Sequence, residues 1–452
     1  MTLFDTTSKL YWHIQLPKAL AFTRNPSDTS VTPATYTADG ASVLFLDSQP
    51  KDIAIDGSDK KDTVTVNADI VETFSFGRRS LSNINIRGFA GNDTINFAAE
   101  DGSLRRVFVT DSVINGNIGN DNLSLGSIGK AGGEVEFTNS YLLGGKGDDT
   151  LNGDDINGGE MNGNIGDDTI VIDNRGFTGR LMYVGGGQGN DLITVSGNYT
   201  DSIIDGNKGI DTITVEDGVH SRTSVNGGEG DDIIRSKGAA KGLMLSGDKG
   251  NDTISSIGSE GSTVIGGEGN DTIVSSAAAG QKSTIDAGVG ADLVGTENSG
   301  AAETIVFNNG DSVAATASSL GNAPGEVIAG KITFGKGVDI ITGLTGFAPA
   351  DTEDQIDIDF DPAAFILTQG VDGKEDGAML NTDVLATDTV YATQGTLSAD
   401  GKTFEVGFNA GVATGTDYLY IVGGSNLTLG QVFKNSDSMF VSGSLIGTDQ
   451  FV

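Results

Sequence analysis

Along the middle of this chain, apolar residues return in two fixed columns. The first reads Ile86, Ile114, Leu142, Met161, Val184, Ile204, Val225, Leu245, Val264 and Ile285. The second follows nine residues later in each copy: Ile95, Leu123, Leu151, Ile170, Ile193, Ile213, Ile234, Ile254, Ile273 and Val294. Polar or small residues flank most of these positions, the alternation of a strand with one buried face. Each segment therefore supplies two short strands and one inward aliphatic on each. One such segment cannot bury its apolar face alone, but a stack can, with like residues piled on like. The pattern predicts an all-β chain built on a right-handed parallel β-solenoid.

Between the two columns lies a turn rich in glycine and aspartate. It reads GGEGNDTIV at Gly266–Val274, with relatives starting at Gly88, Gly116, Gly144, Gly163, Gly186, Gly206, Gly227 and Gly247 and a weaker copy at Ala287. A degenerate copy, DGSDKKDTVTV, starts at Asp56. The sixth position is always aspartate: Asp93, Asp121, Asp149, Asp168, Asp191, Asp211, Asp232, Asp252, Asp271 and Asp292. Successive spacings are 28, 28, 19, 23, 20, 21, 20, 19 and 21 residues. The second position nearly alternates between glycine and Asn or Asp, from Asn117, Gly145 and Asn164 to Asp248 and Gly267. Asn and Asp tolerate left-handed backbone best among non-glycine residues, so the turn survives. The alternation leaves open a coil of about 40 residues with its turns on two edges.

These turns resemble the nonapeptide G-G-x-G-x-D-x-U-x of RTX proteins, which bind calcium in a parallel β-roll. Calcium is a hard cation that takes six to eight oxygens, and tight glycine turns aim backbone carbonyls at one point. The resemblance implies Ca2+, several ions per chain, between successive turns along one edge. It implies as ligands the aspartates Asp93, Asp121, Asp149, Asp168, Asp191, Asp211, Asp232, Asp252, Asp271 and Asp292. It adds turn carbonyls around Gly144, Gly147, Gly186, Gly189, Gly227, Gly230, Gly266 and Gly269. Family units commonly run in tandem every nine residues, whereas one unit occurs here per coil, so the opposite edge is expected to be free of metal. Turns without metal would still be tight, but aspartates stacked in register repel unless a cation lies between them.

Charge agrees with this picture. The 62 acidic residues against 27 basic ones give −35, and a compact body so charged repels itself without counter-ions. Nucleic acid is excluded as a partner, because phosphate recognition needs a basic face. There is no cysteine, hence no disulfide or thiol metal site. The 68 glycines and 7 prolines show no G-X-Y period, which excludes collagen. No apolar run is long enough for a membrane helix, so an integral membrane protein is not expected.

Residues 1–50 match no motif, hold Trp12 and His13, and are expected to cap the first coil or anchor the chain. The β-solenoid is expected over 51–296. From 297 the repeat fades into a C-terminal β-sandwich-like domain, with Asp339 of ITFGKGVDIITGLTGF in a ligand-like place. RTX chains commonly carry a C-terminal signal for type I secretion, in keeping with an N-terminus that lacks a Sec signal pattern. There is no H-E-x-x-H and no G-x-S-x-G, and His220 reads as a surface residue of a connecting turn, so no catalytic residue is assigned. The expected function is an extracellular structural or adhesive protein of the surface-layer kind. It would fold and assemble on calcium and could meet a cell-surface polysaccharide. Two alternatives stand beside it: a bacteriophage fibre, spike or decoration protein, and a secreted polysaccharide-acting enzyme.

Overall fold

A computed structural model describes residues 12–15, 51–57, 59–67, 79–98, 107–125, 135–216, 218–238, 241–259, 261–277, 281–296 and 302–307. It also describes short strands from residue 315 onward. Every regular element among these residues is a β-strand. The chain divides into two compact units, Met1–Gly228 and Glu229–Val452.

In the first unit the coils stack as parallel strands. One wall is formed by Lys51–Asp56, Arg79–Ala90, Val113–Ile118, Val135–Lys146, Ile156–Ile165, Met182–Gln188 and Ile203–Lys208. The strand Trp12–Gln15 lies parallel to the first of these. The facing wall runs from Thr63–Asn67 through Thr94–Ala98, Asn122–Leu125, Thr150–Gly153, Thr169–Arg180 and Leu192–Thr200 to Thr212–Val215. Thr150 pairs with Thr169, Thr169 with Leu192, and Leu192 with Thr212. One coil is therefore a single repeat of about twenty residues. The coil of twice that length is excluded, and within this unit the G-x-x-G-x-D turns fall on the same edge.

The two sequence columns are the core. Ile86, Ile114, Leu142, Met161, Val184 and Ile204 have no exposed surface, nor do Leu123, Leu151, Ile170, Ile193 and Ile213. Burying each such side chain contributes about 1.5–3 kcal/mol. Leu81, Val109, Phe137 and Ile156 form a third inward column in register on successive coils. Two coils further on the column continues as Tyr199 and His220, stacked at 5.5 Å and 9°.

His220 corrects an expectation. It is fully buried rather than on the surface, because its strand pairs in register with Tyr199 and turns the imidazole inward. Nε2 donates to the Glu216 carbonyl at 3.3 Å, and burial holds the imidazole below its ordinary value.

The second unit repeats the scheme. Leu243–Lys249, Thr263–Glu268, Lys282–Val289, Ala302–Phe307 and Gln355–Ile358 form one parallel wall. Ile233–Lys237, Thr253–Ser259, Thr272–Ala277, Leu293–Thr296 and Asp339–Thr342 form the other. Parallel coils thus continue beyond residue 296. Antiparallel pairing then takes over. Thr389–Leu397 lies between Thr403–Val406 and Asp417–Ile421, and the latter pairs with Ser438–Ser442. That last strand runs parallel to Asp339–Thr342 and so joins the sheet to the coils.

The buried columns, not the solvent-facing aliphatics, hold the coils together. Ile254→Ala, at a position with no exposure, is expected to lower unfolding free energy by about 2–4 kcal/mol. Ile257→Ala, 44% exposed, is expected to cost under ~0.5 kcal/mol. Urea unfolding midpoints compare the two directly.

Candidate metal centre

The acidic edge is built from backbone first. At the fourth turn position glycine is obligatory. Gly209 has φ +132°, and a Cβ there would overlap the carbonyl oxygen of Gly189 on the preceding coil. At the second position the backbone is left-handed: Phe89 has φ 75°, and from Asn117 to Gly267 two forms alternate. Asn117, Asn164 and Asn207 have φ 76°, 78° and 74°, while Gly145 and Gly187 have 120° and 119°. The first value suits asparagine and the second only glycine. The sequence alternation is therefore an alternation of backbone shape along one edge. In the asparagine coils the side chain two residues earlier locks the turn: Asn115, Asn162 and Asp205 each accept the N–H of the following asparagine at 2.9 Å.

The sixth-position aspartates point inward and form a directional ladder. Asp62 N–H donates to Asp93 Oδ1, and Asp93 to Asp121, each at 2.7 Å. The same bond runs from Asp121 to Asp149, Asp149 to Asp168, Asp168 to Asp191 and Asp191 to Asp211 at 2.7–2.8 Å. In the second unit it runs from Asp232 to Asp252, Asp271, Asp292 and on to Asp339. The degenerate first copy and the ligand-like Asp339 are thus members of the ladder.

One oxygen of each carboxylate is used in this way. The other, Oδ2, is buried without a hydrogen-bond partner at Asp93, Asp121, Asp149, Asp168, Asp191 and Asp271. It faces the Cα of the first glycine in its own turn, beside the carbonyl oxygen of the first residue in the next coil. At Gly88 the neighbours are Asp93 Oδ2 and Gly116 O, and at Gly144 they are Asp149 Oδ2 and Gly163 O. At Gly206 they are Asp211 Oδ2 and Gly227 O, and at Gly266 they are Asp271 Oδ2 and Ala287 O. A Cβ would fill this niche, so glycine keeps it open. Gly144, Gly186, Gly227 and Gly266 stand at this first position, and Gly147, Gly189, Gly230 and Gly269 at the fourth.

Acceptors facing acceptors require a proton or a cation between them. Burial pushes Asp93, Asp149, Asp168, Asp191, Asp211 and Asp271 up to about 7, and Asp252 up to about 6. Those values are net: the bond from the preceding backbone N–H opposes burial, and neighbouring carboxylates add a smaller upward push. Burial also raises Asp121. Among the described residues no three acidic or histidine side chains converge as a metal-holding group. A hard cation at this edge would rest on the ladder carboxylates together with backbone carbonyls, the donor set that calcium takes.

Sequence reasoning missed a second ladder on the same edge. The fifth-position side chains face solvent and accept the N–H of the following coil. Asn92 serves Asn120, Asn120 serves Asp148, Asp148 serves Asp167, Asp167 serves Asn190, and Asn190 serves Ile210. Asp231, Asn251 and Asn270 repeat it in the second unit. Its polarity is opposite to that of the inner ladder, so consecutive turn amides are satisfied from the coils on either side. The signal was present in the near-constant Asn or Asp at that position. The opposite edge carries left-handed Asn83, Asp111 and Asn139 and a hydroxyl ladder instead: Ser112 Oγ accepts Ile84 N–H, and Ser140 Oγ accepts Ser112 N–H.

No protein-family model matches the chain, and no curated protein matches it. Among the described residues no helix is long and apolar enough to cross a membrane.

Two outcomes follow from this geometry. The ladder carboxylates have folded-state values above the unfolded one, so stability without metal is highest below about pH 4 and falls as pH rises towards 7. Chelator-treated protein is therefore expected to hold more β signal in circular dichroism at pH 5 than at pH 8; a β signal that rises with pH would contradict the buried ladder. Gly209→Ala is expected to cost ~3 kcal/mol or more through overlap with Gly189. Gly242→Ala, at φ 62° with nothing within 4 Å of the added Cβ, is expected to cost about 1–2 kcal/mol. Thermal melts of the two variants test the difference.

Proposed function

We propose that the chain is a calcium-dependent extracellular structural or adhesive protein, a surface-layer subunit being its leading form. The observation that supports this reading is the row of buried aspartate oxygens facing backbone carbonyls from coil to coil. Bound calcium would neutralise those carboxylates and replace the missing hydrogen-bond donors. The side chains that would hold it are Asp93, Asp121, Asp149, Asp168, Asp191 and Asp211 in the first unit. Asp232, Asp252, Asp271 and Asp292 would do so in the second.

The chain's own residues account for the rest of the behaviour. With 62 acidic against 27 basic residues, the free chain resists compaction. Ionising one buried carboxylate whose value stands near 7 costs the metal-free coil several kcal/mol. Each further ionised carboxylate in the ladder adds repulsion to its neighbours, against a net domain stability of only roughly 5–15 kcal/mol. Ligand binding to the folded form alone then appears as folding free energy. A chain loose at low calcium and stacked at high calcium suits export followed by assembly outside the cell, and no catalytic group is assigned.

Asp191→Asn with Asp211→Asn separates the two roles of the ladder. In chelator at pH 8 the double variant is expected to be at least as stable as the parent, because two ionisable groups leave the buried edge. In calcium it is expected to gain less stability than the parent, by about 1 kcal/mol or more. Sedimentation of the parent in calcium is expected to show large assemblies; a monomer at every calcium concentration would contradict the surface-layer form.

A further inference from the structure

The outward side of the wall that leads into the acidic edge carries a second built feature. Tyr141, Glu160 and Tyr183 stand in register on three successive coils, followed by Ile203. Tyr141 is 46% exposed and Ile203 45%. At the strand spacing of ~4.8 Å the two tyrosines stand roughly 10 Å apart along the stack.

The second ring has a seat. It lies across Gly185, where a Cβ would stand 2.8 Å from the ring's Cε1 and 3.1 Å from Cζ. The neighbouring coils place Leu143, Asn162 and Asp205 at this outward position. The Tyr183 hydroxyl donates to Asn207 Oδ1 at 3.2 Å, which fixes the ring along the surface. Between the rings, Asn162 Nδ2 donates to Glu160 Oε1 at 3.0 Å. The surface thus offers two aromatic platforms with an amide–carboxylate pair between them.

That chemistry suits one class of ligand. The C–H face of a pyranose packs on an aromatic ring, while its equatorial hydroxyls bond to amides and carboxylates. In an extended β-1,4-linked chain every second sugar presents the same face, at about the separation of these tyrosines. Glu160 and Asp205 both bear on the Tyr183 phenol, and the chain carries −35 overall. A polyanionic glycan is repelled from such a surface, as is nucleic acid.

We propose that Tyr141, Glu160 and Tyr183 form a binding surface for an extended, uncharged β-linked polysaccharide, with Gly185 as the seat of the Tyr183 ring. This rests on the adhesive reading in naming its partner; the surface needs stacked coils, so folding is read separately from binding.

The test titrates cellohexaose and chitohexaose into the full-length chain in calcium by calorimetry, with a hyaluronan hexasaccharide as anionic control. Circular dichroism of each sample reports folding separately, so a failure of calcium-coupled folding is distinct from a failure of glycan binding. At least one neutral hexasaccharide is expected to bind, and hyaluronan is not. Tyr141→Ala and Tyr183→Ala are each expected to weaken binding about tenfold or more. Gly185→Val keeps the tyrosine but unseats its ring and is expected to weaken binding similarly. Absence of binding by both neutral oligosaccharides, preference for hyaluronan, or unchanged affinity in Tyr141→Ala and Tyr183→Ala would overturn the proposal. Tyr141→Ala decides alone if the other variants do not fold, since that side chain is half in solvent.

Discussion

A column of carboxylates buried one strand spacing apart is the constraint on which this structure turns. Each aspartate is drawn inward by the N–H of the preceding coil, so its position is fixed by a hydrogen bond that ties one turn to the next. That bond satisfies Oδ1 and leaves Oδ2 in a glycine-lined niche facing another acceptor. Like charges at such separations cost heavily in a medium of low dielectric. The fold can therefore exist in a protonated form or a cation-bound form, and the ionised, metal-free form is disfavoured. Stacking geometry and the need for a counter-charge are one and the same feature.

Glycine serves this constraint in different ways at different turn positions. The first keeps the niche open beside Asp Oδ2, and the fourth lets coils approach without a Cβ in the way. The second position tolerates asparagine in alternate coils because the backbone there alternates between φ near 75° and φ near 120°. The outer Asn/Asp ladder then satisfies the amides that the inner ladder does not reach. The walls behind the turn need only aliphatics of similar size, which is why Ile, Leu and Val interchange in both columns and Met161 stands in the first.

Much of this was legible in the sequence. The period, the two inward columns and the invariant aspartate dictated parallel coils, and the structure places Ile204, Ile213 and Asp211 where that pattern puts them. Coil length was legible only in part: one unit per roughly twenty residues pointed to the short coil, while the alternation of Asn and Gly left a double-length coil open. His220 was misplaced because a polar residue in an irregular stretch looks solvent-facing; only its register with Tyr199 reveals that it continues the column of Leu81, Val109 and Phe137. The Tyr183 seat was hidden for a similar reason. Gly185 reads as one more glycine in a glycine-rich turn, and its purpose depends on a ring from two residues earlier.

The central claim is that the acidic edge makes folding depend on calcium. The most direct measurement is circular dichroism of chelator-treated protein at pH 8 during a calcium titration, with magnesium as control. A cooperative gain of β signal with calcium, and none with magnesium at the same concentrations, is the predicted result. A chain already fully folded in chelator at that pH, with a spectrum that ignores calcium, would contradict it and leave the glycines and aspartates as turn formers alone.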